Sequence, residues 1–449
     1  MTKSAADRIA RAKARRKQTT PLPKMTLALL ALCLGFGLMY LLLGVAAVMQ
    51  TDPDRPGTLM NNAGQPVGSD FIAFYVAGAE AGGDAPTDVY DSEARAQAHA
   101  DLAGYVDGAD SEGGIVRTYG FAYPPYVLPA LSALASLPYM AALYVWIGAQ
   151  LVALMAAAWG WFRIGWLPFV LLLHPTVLQN IVAGQNGALT AACLLGGLWA
   201  LRERKEVLAG CLFALLAFKP HIVILIPLCL LAGRYWKAFG TMAGLGVVLA
   251  IVPFIAYGTD AAMQMWFTLW PAQVAETAGY VLQPEFVWHR IFTVYLFALK
   301  LGLPAMAAQI VQSIVALGVI AAVMWLWSRK DARFEWRAIA LLLAVPLCTP
   351  YAFDYDMVGI AILPMLLLGG YILSQRRTPT AREYATFVAL WFATFVLWLI
   401  PLTSGLPPVA PLVLLAGLGW VIHRHRQDAD MADRTITQET GQDKTEAGS

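Results

Sequence analysis

The stretch MTLALLALCLGFGLMYLLLGVAAVM, residues 25–49, decides how this chain folds. It contains no charged residue, and about 20 consecutive apolar residues are enough for a helix to cross the hydrocarbon core of a bilayer. It is also longer than the roughly 7–15-residue apolar region of a signal peptide, and it lacks a clear A-x-A cleavage site. We therefore interpret residues 25–49 as a retained first membrane helix.

The rest of the chain has the same apolar character. Of its 449 residues, 59% are hydrophobic and only 13% are charged, and the mean hydropathy is +0.59. Soluble domains are about 45–50% apolar and about 25% charged. Apolar runs near the length of a membrane helix recur along almost the whole sequence, whereas the strands of a membrane β-barrel are short and alternating. The predicted fold class is therefore all-α, a polytopic bundle of about 12 transmembrane segments.

Basic residues predict which loops face the cytoplasm. Residues 1–24 form a basic N-terminal tail, and further basic clusters lie near residues 163, 202–205, 234–237, 329–337, 376–382 and 423–426. Twelve crossings with both termini in the cytoplasm fit this pattern. The expected helices span residues 25–49, 139–162, 164–182, 187–202, 207–219, 220–233, 238–258, 305–328, 336–352, 357–374, 382–402 and 407–423.

Two segments are expected on the periplasmic side, at about residues 50–124 and 259–290. The first is a large loop that carries twelve acidic residues against three arginines. Residues 25–426 are predicted to form a single transmembrane domain, and the polar residues 427–449 a disordered cytoplasmic tail. The pattern predicts a multi-pass protein of a bacterial inner membrane.

The runs 207–219 and 220–233 are each too short for a full crossing. We therefore expect Lys219 and Pro220 to turn part-way through the bilayer, where they would face a cavity rather than lipid. An unpaired ammonium is costly at such a depth, so Lys219 should have an anionic partner.

Several short motifs occur in an order that resembles glycosyltransferase family 87, whose members are similar to polyprenyl-phosphate-mannose-dependent α-mannosyltransferases of the GT-C type. The motifs run from about residue 69 to residue 358. They are Ser69-Asp70-Phe71 with Tyr75, Val89-Tyr90-Asp91, Phe121-Ala122-Tyr123-Pro124-Pro125, Gly184-Gln185-Asn186, Ala209-Gly210, Phe218-Lys219-Pro220 and Pro350-Tyr351-Ala352-Phe353-Asp354-Tyr355-Asp356.

The resemblance implies a catalytic role for Asp70, which composition alone does not distinguish from the other acids of its loop. A sugar hydroxyl is a poor nucleophile near neutral pH, and a carboxylate can act as a general base by accepting its proton. Lys219 and Arg290 are the predicted ligands of the donor phosphate, because the leaving group would be a charged polyprenyl phosphate. A juxtamembrane arginine such as Arg290 is also a common membrane anchor.

Six further residues are predicted to bind substrate: Tyr75, Tyr123, Gln185, Asn186, Asp354 and Asp356. Tyr123 precedes two prolines that fix a rigid entry into the next element, and Gln185 and Asn186 could instead cap a helix. The Asp354 and Asp356 carboxylates could share a divalent cation, but no third acidic ligand lies nearby. We therefore predict no metal site and expect these two to hydrogen-bond the sugar or the phosphate side.

The predicted function is that of an inverting hexosyltransferase that needs no cofactor. Its donor would be a polyprenyl-phosphate sugar, with mannose as the expected hexose, and its acceptor a lipid or glycan at the periplasmic face. The absence of a Walker A motif and of a GxGxxG motif in a βα context disfavours a nucleotide donor, and no nucleic-acid partner is expected. A transporter or lipid flippase with Lys219, Asp354 and Asp356 as an intramembrane translocation site is the main alternative. A structural partner in an envelope assembly is a third.

Overall fold

The structure is a computed structural model that describes residues 24–62, 64–104, 120–162, 167–281, 290–363, 380–381, 385–386, 388–393, 396–397 and 406–446. Over these residues the chain is helical, and its only β-pairing consists of isolated bridges. The predicted all-α class is confirmed. Most of the expected tail at residues 1–24, and most of the expected helices 357–374 and 382–402, lie outside the described residues.

The structure describes eighteen α-helices in these ranges. They are α1 (Lys24–Val48), α2 (Phe71–Ala81), α3 (Ser92–Ala103), α4 (Leu128–Ala135), α5 (Tyr139–Phe162), α6 (Leu167–Leu172), α7 (Pro175–Ala183), α8 (Gly187–Arg202), α9 (Glu206–Leu215), α10 (Pro220–Val223), α11 (Leu225–Ala232), α12 (Trp236–Tyr257), α13 (Thr259–Gln264), α14 (Trp270–Val281), α15 (Val294–Lys300), α16 (Ala305–Ser328), α17 (Phe334–Leu347) and α18 (Ala410–Glu446).

Among the described residues, three helices are long and apolar enough to cross a membrane. These are α5 over Tyr139–Trp161, α12 and α16. Their outward faces are apolar, as a lipid-facing surface must be: Ile255 on α12 is 83% exposed and Leu317 on α16 is 67% exposed. Shorter apolar helices of 10–17 residues surround them. The chain therefore has membrane-helix character, and the number of twelve crossings stays a prediction.

Helix α8 lies at the centre of the bundle. It is buried along almost its whole length, as expected for a helix that is apolar on every side, and it packs against α5 and α9. Glycine lets these helices approach closely, since a Cβ on Gly197 would lie 2.3 Å from the Phe213 ring. The N-terminus of α8 begins at Gly187, directly after the predicted Gln185 and Asn186.

Proline interrupts the helices at two points. The segment expected as one helix at 164–182 is divided into α6 and α7, because Pro175 begins a new helix and His174 accepts a hydrogen bond from the Thr176 backbone at its start. Lys219 is extended before Pro220, with φ −122° and ψ 79°, as the residue before a proline prefers. The predicted turn at Lys219 and Pro220 is therefore present.

The two segments expected on the periplasmic side contain helices where the structure describes them. The first contains α2, α3 and a short 3₁₀ turn, Asp88–Tyr90, around an aromatic core that includes Phe71, Phe74 and Phe121. We call this unit the outer subdomain; residues 105–119 lie outside the described part.

In the second segment, α13 and α14 flank a π-helical turn over Met265–Leu269. Gly258, at φ +81°, ends α12 and lets a new helix start, so this segment is helical up to residue 281. The periplasmic location of both segments stays a prediction.

The C-terminal segment also differs from the sequence-based expectation. Helix α18 continues through Glu446, whereas residues 427–449 were expected to be disordered. The segment contains no proline and is rich in residues that tolerate a helix, such as Gln, Glu, Asp, Ala and Arg, so it can extend the apolar first part of α18 without a break.

Gly184 provides a test of the close contact between the turn before α2 and the turn before α8. Its φ is +63°, and an added Cβ would lie 2.5 Å from the Gly68 carbonyl oxygen and 2.6 Å from Phe71 Cβ. A left-handed conformation alone costs a non-glycine residue about 1–2 kcal/mol, before the clash is counted. We expect Gly184→Ala to lower the melting temperature of the detergent-purified protein by several degrees.

The matched control is Gly148→Ala on α5, where a Cβ would meet nothing within 4 Å. This change should leave the melting temperature equal or raised, because alanine is the better helix former. An unchanged melting temperature for Gly184→Ala would mean that the Gly68 turn can move away, contrary to the packing described.

Glu80 and His99 of the outer subdomain should make its stability depend on pH in opposite directions. Burial raises the pKa of Glu80 from 4.5 to about 7, despite nearby Arg95. The stability that Glu80 contributes to the folded state is therefore present below about pH 4.5 and is lost as the pH rises to about 7. Burial and the charge of Arg95 lower the pKa of His99 from 6.5 to about 4. The stability that His99 contributes to the folded state is therefore fully present above about pH 6.5 and is lost as the pH falls towards about 4.

Relative to wild type, Glu80→Gln should therefore lose melting temperature on acidification from about pH 7 to about pH 5, because the His99 dependence is left unopposed. His99→Gln should instead lose melting temperature when the pH is raised from about 5 to about 7, because only the Glu80 dependence remains. Thermal melts of both variants across this range make the comparison. If the melting temperature changed with pH in the same direction in both variants, the opposite roles assigned to Glu80 and His99 would be wrong.

Candidate active site

Asp70 lies on a tight turn that precedes α2. Gly68 has φ +75° and Ser69 φ +30°, a conformation that is strained for a residue with a side chain. The turn is held by its backbone, since the Asp70 amide donates to the Ala183 carbonyl at 3.0 Å. Glycine at 184 is required for this contact, so the turn of Asp70 is fixed against the turn between α7 and α8.

The Asp70 carboxylate is oriented by two side chains. The Ser69 hydroxyl donates to Oδ1 at 3.1 Å, and the Gln185 amide donates to Oδ2 at 2.9 Å. Gln185 is itself fixed, because its Oε1 accepts the Asn186 backbone amide at 3.3 Å. Asp70 is half-buried and Gln185 is buried. The structure thus brings together predicted residues 70 and 185 through a direct hydrogen bond.

Asp354 holds a buried ion pair with Arg290. The Arg290 Nε lies 3.1 Å from Asp354 Oδ2, and Nη2 lies 3.1 Å from Oδ1, which is a bidentate arrangement. Gln179 on α7 donates to Asp354 Oδ2 at 2.7 Å, and the Tyr40 hydroxyl of α1 donates to Gln179 Oε1 at 2.9 Å. Asp354 therefore connects α1, α7 and Arg290, which lies shortly before α15.

Asp356 holds the second buried ion pair, with Lys219. Its Oδ2 also accepts the Phe353 backbone amide at 3.1 Å. Lys219 is 3% exposed, so the anionic partner expected from the sequence is present, and it is a carboxylate of this chain. Asp354 and Asp356 thus each form an ion pair with a different cation.

Tyr355 lies between the two ion pairs. The Lys219 Nζ lies 5.1 Å and the Arg290 Cζ 5.6 Å from the centroid of its ring, within the range of cation–π attraction. The backbone of Tyr355 packs on the start of α8, because a Cβ on Gly187 would lie 1.9 Å from its carbonyl oxygen. The N-terminus of α8 thus contacts Asp70 through Gln185 and the two ion pairs through Gly187.

The charges of this site act on one another. Burial disfavours the charged form of Arg290, but the negative charges of Asp354 and Asp70 outweigh it, so the pKa of Arg290 lies above its ordinary value. The site holds three carboxylates and two cations, which leaves it with net negative charge at the Asp70 end. Tyr123, buried beside the Asn186 side chain, is near both Asp70 and Asp356.

Tyr75 is the predicted residue that the structure does not join to this charged cluster. Its hydroxyl donates to the Leu137 carbonyl at 2.9 Å, and its ring packs against Tyr139. Its predicted role in substrate binding stays a prediction, as do the substrate roles of Tyr123, Asn186 and the two aspartates.

Four residues of the site were missed in the sequence. Tyr40 and Gln179 were detectable in principle, because a polar side chain inside an apolar run needs a partner. Ser69 and Tyr355 stand inside recognised motifs, but nothing in the spacing shows that one orients Asp70 and the other lies between two cations. Among the described residues, no three His, Cys, Asp or Glu side chains are grouped so that they could hold a metal ion.

Comparison with known proteins gives one match. The model of glycosyltransferase family 87 matches residues 121–350, which is about half of the chain and includes Tyr123, Gln185, Lys219 and Arg290. Asp70 precedes the matched stretch, and Asp354 and Asp356 follow it. No curated protein and no solved structure matches the chain.

Proposed function

Since the chain belongs to glycosyltransferase family 87 and is a membrane glycosyltransferase, we propose that it transfers a hexose, with mannose as the expected sugar, from a polyprenyl-phosphate carrier. The acceptor would be a hydroxyl group of a lipid or glycan, and the anomeric configuration would invert. The observation that carries this proposal is the half-buried Asp70 carboxylate, oriented by Gln185 and Ser69 in the same site as the buried Lys219 and the half-buried Arg290.

The proposed chemistry is a single displacement at the anomeric carbon. Asp70 accepts the proton of the acceptor hydroxyl as its oxygen attacks. The bond from the anomeric carbon to the phosphate oxygen breaks, and its electron pair leaves with the polyprenyl phosphate. The reaction needs no cofactor, because the proton goes to Asp70 and the developing negative charge can be balanced by side-chain cations.

Lys219 and Arg290 are the proposed partners of the phosphate. Each is already paired with an aspartate, but neither pair uses all of the donors available: an ammonium carries three N–H donors and a guanidinium five. Arg290 contacts Asp354 through Nε and Nη2, and its side chain is 19% exposed against 4% for Lys219. Arg290 is therefore the more accessible of the two, and Lys219 would contribute from a deeper position.

The orientation in the membrane follows from the charge pattern. The acidic segment that contains Asp70 is proposed to face the periplasm, and the basic clusters the cytoplasm. The polyprenyl chain would enter laterally from the bilayer, since the apolar runs beside Lys219 are short. The donor is then a lipid-linked sugar on the same side of the inner membrane as the acceptor.

Asp70→Asn is the direct test of the proposed base. The amide keeps the shape of the side chain but cannot accept the proton, so we expect transfer to fall by at least about 100-fold. The assay uses purified protein with radiolabelled polyprenyl-phosphate-mannose and a membrane lipid extract as acceptor.

The matched control is Asp84→Asn, a change of the same kind at an exposed acid of the same segment. It should retain wild-type transfer. Near-normal turnover by Asp70→Asn, with intact folding, would remove Asp70 from this role.

Lys219→Ala should weaken binding of the donor more than Asp70→Asn does, because a charge-assisted contact to phosphate contributes about 1.5–3 kcal/mol. That range corresponds to a loss of about 10-fold to 100-fold in affinity. Binding of a radiolabelled polyprenyl phosphate to the detergent-purified variants measures the difference.

Removal of Lys219 alone also leaves Asp356 buried without its cation. The double variant Lys219→Met with Asp356→Asn removes the pair without that charge, and it should show the same loss of donor affinity. Equal affinities in wild type and the double variant would exclude Lys219 from phosphate binding.

A further inference from the structure

A cluster of tryptophans and arginines lies at the opposite end of the bundle from the candidate active site. We call it the basic aromatic patch; it consists of Trp325, Arg329, Trp336, Trp420, Arg424 and Arg426. Helix α16 ends in the patch and α17 begins there, and α17 then runs to Leu347, shortly before Asp354. The patch is therefore separated from the segment that carries Asp354 by about the length of α17, roughly 20 Å.

Two arginines converge on one indole ring in the patch. The Cζ of Arg329 lies 6.0 Å and that of Arg426 5.8 Å from the centroid of Trp325. These residues come from different elements, the turn after α16 and the middle of α18. Trp325 is 37% exposed, and both arginines are exposed. The two guanidinium groups thus share one accessible aromatic platform.

A second aromatic pair extends the patch. The Arg424 Cζ lies 6.0 Å from the Trp420 ring, which meets Trp336 edge-on at 5.6 Å. Trp336 is held in position because its Nε1 donates to Asp428 Oδ2 at 2.9 Å. Trp420 is 45% exposed.

Two acids offset part of the charge of the patch but not all of it. Asp331 pairs with Arg329 at 3.2 Å and lies 3.8 Å from His425, and Asp428 is bound by Trp336. Within the part of the chain that the structure describes, no ion pair engages Arg424 or Arg426; Arg424 donates instead to the Gln427 amide oxygen at 3.1 Å. The patch therefore carries net positive charge at its exposed surface.

An apolar stripe leads from the patch along α16. Ile314, Leu317, Ala321 and Trp325 follow one another at intervals of three or four residues, and all are exposed. Residues at this spacing lie on one face of a helix. In a membrane protein such a face contacts acyl chains, and tryptophan at its end lies at the level of the lipid headgroups.

We propose that the basic aromatic patch binds the phosphate of an anionic phospholipid, whose acyl chain lies along the α16 stripe. Arginine presents a planar set of donors that matches phosphate oxygens, and basic residues next to the membrane attract anionic lipids. A free phosphate would use the arginines but not the stripe, so the stripe favours the lipid. The site is independent of the proposed transfer reaction.

Native mass spectrometry of the purified, delipidated protein tests the proposal. Wild type should retain phosphatidylglycerol in preference to phosphatidylcholine, and the double variant Arg329→Gln with Arg426→Gln should lose about tenfold or more of the phosphatidylglycerol affinity. Arg204→Gln with Arg234→Gln, at two exposed basic residues outside the patch, removes the same charge and should bind as wild type does.

A second variant keeps the test valid if loss of charge impairs insertion. Arg329→Lys with Arg426→Lys retains both charges but lacks the planar donors and the stacking on Trp325, and it should show an intermediate loss. Equal phosphatidylglycerol binding by wild type and both double variants would overturn the proposal. Displacement of the lipid by glycerol phosphate at equal concentration would also overturn it, because the acyl chain would then contribute nothing.

Discussion

The structure depends on two ion pairs, because a charge in a low-dielectric interior needs a partner of opposite sign. Lys219 and Arg290 lie where an uncompensated cation would be costly, and each is paired with an aspartate on either side of Tyr355. These contacts join segments that are far apart in the sequence. Through Gln179 and Tyr40 the same network reaches helix α1.

The start of α8 is the junction between this network and Asp70. Gln185 donates to the Asp70 carboxylate, while Gly187, two residues later, lets the Tyr355 backbone approach. Gly184 allows the Asp70 turn to contact the same short stretch. The Asp70 carboxylate and the two ion pairs are therefore held near one helix end, as the proposed displacement at a phosphate-linked sugar would need.

The sequence alone predicts the all-α class, because composition and apolar run length limit the possibilities, and it predicts the break at Lys219 because proline restricts the residue before it. It also indicates the family, whereas the roles expected for the site residues stay predictions. The helices α2 and α3 within the acidic segment are not evident from its composition, although they bury an aromatic core. The continuous α18 is not predicted either, since polarity does not exclude a helix. The pairing of Lys219 with Asp356 and of Arg290 with Asp354 depends on tertiary packing, so no spacing in the chain reveals it.

A structure of the protein bound to an unreactive analogue of polyprenyl-phosphate-mannose would test the proposed mechanism at the site itself. We expect the phosphate to contact Arg290 and Lys219 and the anomeric carbon to face the Asp70 carboxylate across the space for an acceptor oxygen. A sugar bound beyond reach of Asp70, or a phosphate bound away from both cations, would contradict it.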